Sequence, residues 1–133
     1  MRGLPGSGKS TRAAQLAGEC GAIHSTDDFF MVDGEYVFDP AMLGRYHDRN
    51  YASFVESLGK GVPVVICDNT NSQTWEWERY YLVARDYGYR VVFIEIGHPP
   101  TEECARRTTH GVPVEVIRRM IERWEEIPEG VTM

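Results

Sequence analysis

Gly3, Gly6 and Gly8 lead into Lys9 and Ser10 in the run GLPGSGKS, residues 3–10, which satisfies the pattern G-x-x-x-x-G-K-[ST] in full. Those residue types at that spacing suit the binding of a phosphate chain. The glycines let successive backbone N–H groups turn inward around an anion, and the N-terminus of a following helix adds partial positive charge. Lys9 reaches the β- and γ-phosphates of a nucleoside triphosphate, and the Ser10 hydroxyl ligates Mg2+. Pro5 and Ser7 fill out the loop. Thr11 either touches the α-phosphate or is an ordinary first-turn threonine. The competing reading, a chance glycine-rich turn before a helix, has against it the helix-forming stretch that starts at the required place.

Acids and bases elsewhere in the chain suit phosphoryl transfer. A hydroxyl that attacks phosphorus needs a carboxylate within hydrogen-bond reach, to orient it and to accept its proton. The pair Asp27 and Asp28 offers two, one for this task and one to cap the short helical turn DDFFM; Asp27 is read as the base. Asp68 closes an apolar run, where a carboxylate holds the Mg2+ shell beside Ser10 or caps the turn DNTNS. Arg106 and Arg107 either close over the transferring phosphoryl group, Arg107 being preferred, or form a solvated basic helix face. His110 reads as a helix C-terminal cap and His24 as structural. Trp75 and Trp77 read as packing residues before they read as a base-stacking platform. Arg118 and Arg119 either approach adenine or face water.

The elements that must position these residues alternate between helical and short apolar segments, with no internal repeat, low-complexity tract or linker. Residues 9–20 predict a helix after the phosphate loop, and AIHST from Ala22 a short strand. Asp39 and Pro40 supply an N-cap and a first-turn proline for a long amphipathic helix carrying Leu43, Tyr46, Tyr51, Phe54, Val55 and Leu58. PVVIC, residues 63–67, and RVVFIEI, residues 90–96, predict strands buried on both faces, separated by a helix over about residues 73–87 that stops at Gly88. Two helices are expected to finish the chain, the first from near Thr101 and the second carrying Ile117, Met120, Ile121 and Trp124. The pattern implies an α/β fold, an open parallel sheet with helices on both faces. Ligands in such sheets bind at the carboxyl ends of the strands, where the loop at Gly3, the pair Asp27 and Asp28, and Asp68 all fall.

Composition limits the alternatives. At 133 residues and 42% apolar, the chain suits a single domain over residues 1–133 that buries about two thirds of its unfolded surface. A net charge of -6 argues against coating nucleic acid through bulk attraction, while a local basic patch stays open. Cys20, Cys67 and Cys104 are odd in number and far apart, which disfavours a disulfide framework or a zinc site and points to reduced, cytoplasmic thiols. No apolar run approaches the roughly 18 residues of a membrane span, so no membrane partner is expected.

The segments RGLPGSGKST, STDDFF, YVFDP, DNTNSQTWEWERY and RRTTHGVP stand in the order seen in the P-loop kinase family related to polynucleotide 5′-hydroxyl kinases, often described as ATP-binding AAA-type proteins. The chain resembles that family from Gly3 to about Trp124. The resemblance implies a P-loop NTPase fold of about four parallel strands with a small helical lid. It implies ATP-dependent phosphorylation of a 5′-hydroxyl with Mg2+: Lys9 and Ser10 act on ATP, Asp27 on the acceptor, and Arg107 in the lid. The chain departs from phage-type polynucleotide kinases in two places. It has FFM where they carry an arginine after the acidic pair, and His110 where they carry one before the lid glycine, which weakens the expected grip on a nucleic-acid phosphate. Two rival readings stand beside it: a kinase of small metabolites, nucleosides or nucleotide sugars, as in zeta-toxin-like relatives, and an ATP-binding module without catalysis. Relatives also carry an apolar strand running into RGLPGSGKS, whereas only Met1 and Arg2 precede Gly3 here. The expectation is that Met1 is an internal residue of a longer gene product or a late start, with the beginning of the first strand outside this sequence.

Overall fold

Gly8 takes a left-handed conformation (φ 93°) that side chains disfavour, and helix α1 (Lys9–Ala17) starts from it. Its buried face is Ala13 and Ala17, which pack on Ile66. Gly18, again at positive φ, ends the helix three residues short of the expected Cys20. The computed structural model describes residues 1–97 and 112–128.

Strand β1 (Ala22–His24) leads into a 3₁₀ turn (Thr26–Phe30) and a hairpin of β2 (Met31–Val32) and β3 (Glu35–Tyr36). A second 3₁₀ turn (Pro40–Met42) opens helix α2 (Leu43–Gly59), and the Asp39 carboxylate accepts the Ala41 N–H at 3.0 Å, the N-cap expected from sequence. Then follow β4 (Val65–Cys67), helix α3 (Thr74–Asp86) and, after Pro113, helix α4 (Val114–Glu122). Gly88, at φ 82°, follows the end of α3.

Strands β1 and β4 run parallel with Ala22, Ile23 and His24 opposite Val65, Ile66 and Cys67. Beyond β4 lie the first two residues: the Met1 amine donates to the Cys67 carbonyl at 3.1 Å. Arg2 then makes a parallel bridge with Glu95, its N–H donating to the Ile94 carbonyl and its carbonyl accepting the Ile96 N–H. Parallel order and helices on both sides match the α/β expectation. The extent of the sheet does not. Among the described residues the anticipated strand over residues 90–96 pairs only at Glu95, with Arg2. Between Val91, Phe93 and Val65 the gap is a largely apolar cavity of about 380 Å3, walled on its far side by Phe54, Leu58 and Tyr80. Pro63 and Val64 are exposed, so the buried run of residues 63–67 shrinks to β4, and Val92 is 56% exposed.

One face of the sheet is covered by α1 and the other by α2 and α3. On the latter, Phe54 and Leu58 of α2 meet Tyr80 and Ala84 of α3, with Val65, Cys67 and Val91 beneath. Each of these large side chains contributes about 1.5–3 kcal/mol by leaving water. A separate cluster joins Ile117 of α4, fully buried, to Leu4 of the phosphate loop, with Met120 and Trp124 alongside; Ile121, expected on the same face, is 39% exposed. The helix expected near Thr101, with Cys104, Arg106, Arg107 and His110, lies outside the described residues. Among the described residues no helix is long and apolar enough to cross a membrane.

Candidate functional site

The loop of residues 3–10 hangs from the Arg2 bridge and is pinned from below by Leu4. Its first turn closes through the Ser7 N–H donating to the Leu4 carbonyl at 3.1 Å, and the Gly3 N–H donates to the Thr70 carbonyl at 3.2 Å. A Cβ on Gly3 would come within 2.8 Å of Ser7 Oγ, so the turn needs glycine there. Gly6 (φ 78°) and Gly8 (φ 93°) curl the backbone back toward α1, whose first turn has neither a side-chain cap nor an acid. The Ser7 hydroxyl is buried without a hydrogen-bond partner. An orphaned hydroxyl in a glycine-rich loop at a helix N-terminus, with open space over Gly8, is what an anionic phosphate fits.

At the end of β4, Asp68 is 3% exposed and takes two polar side chains of the loop: Lys9 Nζ at 3.0 Å on Oδ1, and Ser10 Oγ at 3.0 Å on Oδ2. Strand β4 aims this carboxylate because the Asp68 N–H still pairs with the His24 carbonyl, extending the ladder by one residue. Among the described residues no three His, Cys, Asp or Glu side chains converge. One carboxylate and one hydroxyl beside a triphosphate nevertheless fit the sparse protein ligation that Mg2+ takes. Thr11 lies exposed one residue beyond Ser10.

Strand β1 ends beside this group. The Thr26 N–H donates to Asn69 Oδ1 at 2.9 Å, tying the start of the 3₁₀ turn to the residue after Asp68. The turn then separates the two aspartates: Asp27 is half-buried, with Oδ1 accepting the Tyr36 hydroxyl at 3.2 Å, and Asp28 is exposed. The N-cap position is Ser25, so both acids sit inside the first turn and neither occupies the capping residue. Burial first, and the Asp27 carboxylate second, push the Tyr36 phenol up to about 12.

Several participants carried no sequence signal. His47 of α2 meets Thr26 Oγ1 through Nδ1 at 3.1 Å, and burial lowers its pKa ahead of the effect of Arg79. Arg49 lies over Phe29, 4.8 Å from the ring centroid. Tyr36 stood only inside the quoted segment YVFDP. The hairpin that carries it has a turn signal in Asp33-Gly34, both at positive φ. His24 is structural, as expected: Nε2 pairs with Ser57 Oγ at 2.8 Å, and burial lowers its pKa. Trp77 is core, 4.9 Å from Phe93, and Trp75 is 68% exposed with its indole N–H on Gln73. Arg118 faces water in an ion pair with Glu115, and Arg119 is exposed. The Cys67 thiol, pushed up to about 11 chiefly by burial, is no nucleophile.

A family model described as "AAA domain" matches residues 1–127. NEDD4-binding protein 2 of Homo sapiens is 41% identical over 133 positions, covering 94% of this chain and 7% of that protein. YLP motif-containing protein 1 is 25% identical over 154 positions in both Rattus norvegicus and Homo sapiens. In each case 96% of this chain is covered, against 11% of the rat protein and 7% of the human one. The chain therefore spans a small part of the length of these relatives.

Proposed function

Because the chain belongs to the AAA domain family of nucleotide-binding P-loop proteins, we propose that it is an ATP-dependent kinase that phosphorylates a hydroxyl, most favourably the 5′-hydroxyl of a polynucleotide. One observation carries the reading. Asp68 gathers Lys9 and Ser10 at the mouth of the phosphate loop, and the turn that follows the neighbouring strand β1 carries a second, half-buried carboxylate, Asp27.

In this proposal the backbone of residues 3–8 cradles the phosphates of ATP, and Ser7 Oγ gains there the partner it lacks. Lys9 has a flexible stem, so its ammonium exchanges Asp68 for the β- and γ-phosphates. Ser10 and Asp68 would hold Mg2+, which would supply charge neutralisation across the phosphate chain. Asp27 orients the acceptor hydroxyl and takes its proton. The acceptor oxygen forms its bond to the γ-phosphorus, the bond to the bridging oxygen breaks, and ADP leaves with that electron pair. Arg106 and Arg107, with Arg107 preferred, enter as lid residues through the family resemblance alone.

The net charge of -6 favours a second reading, in which the hydroxyl belongs to a small metabolite, nucleoside or nucleotide sugar and no extended nucleic acid is gripped. The test is incubation with ATP labelled at the γ-phosphate and separate pools of 5′-hydroxyl DNA, 5′-hydroxyl RNA and hydroxyl metabolites. Label in an oligonucleotide pool is the expected result. Label confined to metabolites selects the second reading, and ATP bound with label in no pool removes kinase activity.

A further inference from the structure

The chain leaves the Thr26–Phe30 turn directly into β2, reverses at Asp33-Gly34, and returns along β3 to the residue it has just left behind. A phosphate loop needs no such excursion. Its structural consequence is that Tyr36 donates its hydroxyl to Asp27 Oδ1 at 3.2 Å. Two ties hold the phenol there: the Val37 N–H donates to the Phe30 carbonyl at 2.8 Å, and the Phe30 ring, 1% exposed, lies 6.0 Å from that of Tyr36 and 5.1 Å from that of Phe38. The donor is therefore anchored in the same turn as its acceptor. With its pKa at about 12, the phenol stays protonated, and so stays a donor, through the neutral range.

We propose that Tyr36 is a positioning residue for phosphoryl transfer, its hydroxyl holding the Asp27 carboxylate in the orientation that meets the acceptor. The inference rests on the reading of Asp27 as the acceptor carboxylate. Among the described residues, charged or titratable groups near Asp27 include Asp28 beside it in the turn and His47 from α2, which itself has Arg79, Glu76 and Asp48 around it. None of these is carried by the hairpin. A carboxylate held less firmly meets the acceptor in the productive orientation for less of the time. Misplacement on the ångström scale costs up to about 10²-fold in rate.

The experiment is a double-mutant cycle on the full chain, with labelled ATP and whichever pool the wild type phosphorylates. Tyr36→Phe keeps the ring on Phe30 and removes only the hydroxyl, so melting stays within a few degrees of wild type. The expected result is a fall in kcat of about tenfold or more with KM for ATP unchanged, and no further fall when Tyr36→Phe is added to Asp27→Asn. A merely structural role predicts the same fractional loss in both backgrounds. That result, or an unchanged kcat, overturns the proposal while leaving kinase activity standing. A wild type that labels no pool overturns the kinase reading, and with it any catalytic purpose for Tyr36.

Discussion

Replacing Lys9 by alanine removes one of the two side chains that Asp68 holds, and leaves a carboxylate that is 3% exposed without its cation. Stranding a buried charge in this way costs roughly 3 kcal/mol, so Lys9→Ala is expected to melt earlier and to lose ATP binding. Calorimetric titration and thermal denaturation on one preparation check both. Asp27→Asn separates the two carboxylates by role. In the proposed mechanism the amide keeps the shape of the side chain but cannot take the hydroxyl proton, so transfer is expected to slow by roughly 10² to 10⁴ with ATP affinity nearly intact. Equal loss of ATP affinity assigns Asp27 to the nucleotide instead.

Among the elements, α3 shows how one helix start serves two neighbours. Glu76 Oε1 accepts the Gln73 N–H at 3.2 Å and the Ser72 hydroxyl at 2.8 Å, and the Gln73 side chain returns the contact, so the box closes on residues that follow Asp68 in one short loop. The Thr74 N–H donates to Glu125, bringing the segment after α4 onto the same helix end. Glu76→Ala is expected to cost about 1 kcal/mol, or about 3–5 °C in melting temperature, and a melting curve reads it directly. An unchanged curve means that water replaces the box without loss.

Over the whole molecule, the buried charge that organises the packing is Arg2, 1% exposed. Its guanidinium donates to the Asn71, Ser72 and Glu125 carbonyls and to the Glu95 carboxylate, and lies over the Trp124 ring at 4.6 Å. The loop after Asp68, the bridge at Glu95 and the segment after α4 meet on this one side chain. Two histidines contribute to the pH response of the whole. Burial lowers the pKa of both His24 and His47, so the unfolded chain, with histidines near 6.5, binds protons first. Their contribution to stability is complete above about pH 6.5 and is lost as pH falls below it through the lowered folded values. Melting temperature is expected to drop between pH 7.5 and 5, with a shallower slope in His47→Gln. A rise on acidification contradicts the assignment.

The phosphate loop, α1, the N-cap at Asp39 and the stop at Gly88 were legible in the sequence because each depends on contacts within a few residues. Backbone sign at Gly8, side-chain capping at Asp39 and helix period in α2 are local properties that a residue carries with it. The carboxyl-edge placement of Asp27 and Asp68 was legible for a related reason, since parallel strands joined through helices leave their ends on one edge. What the residues at that edge hold was a tertiary matter. That Asp68 takes both Lys9 and Ser10, that Tyr36 returns to Asp27, and that Arg2 is the buried hub all depend on segments far apart in the chain. Nothing local to Arg2 shows that carbonyls from residues 71, 72 and 125 gather around its guanidinium. The strand expected over residues 90–96 failed for the same reason. Its apolar composition fixes a preference for burial, but composition alone does not say which residues will pair with it, and the one bridge it forms is to Arg2.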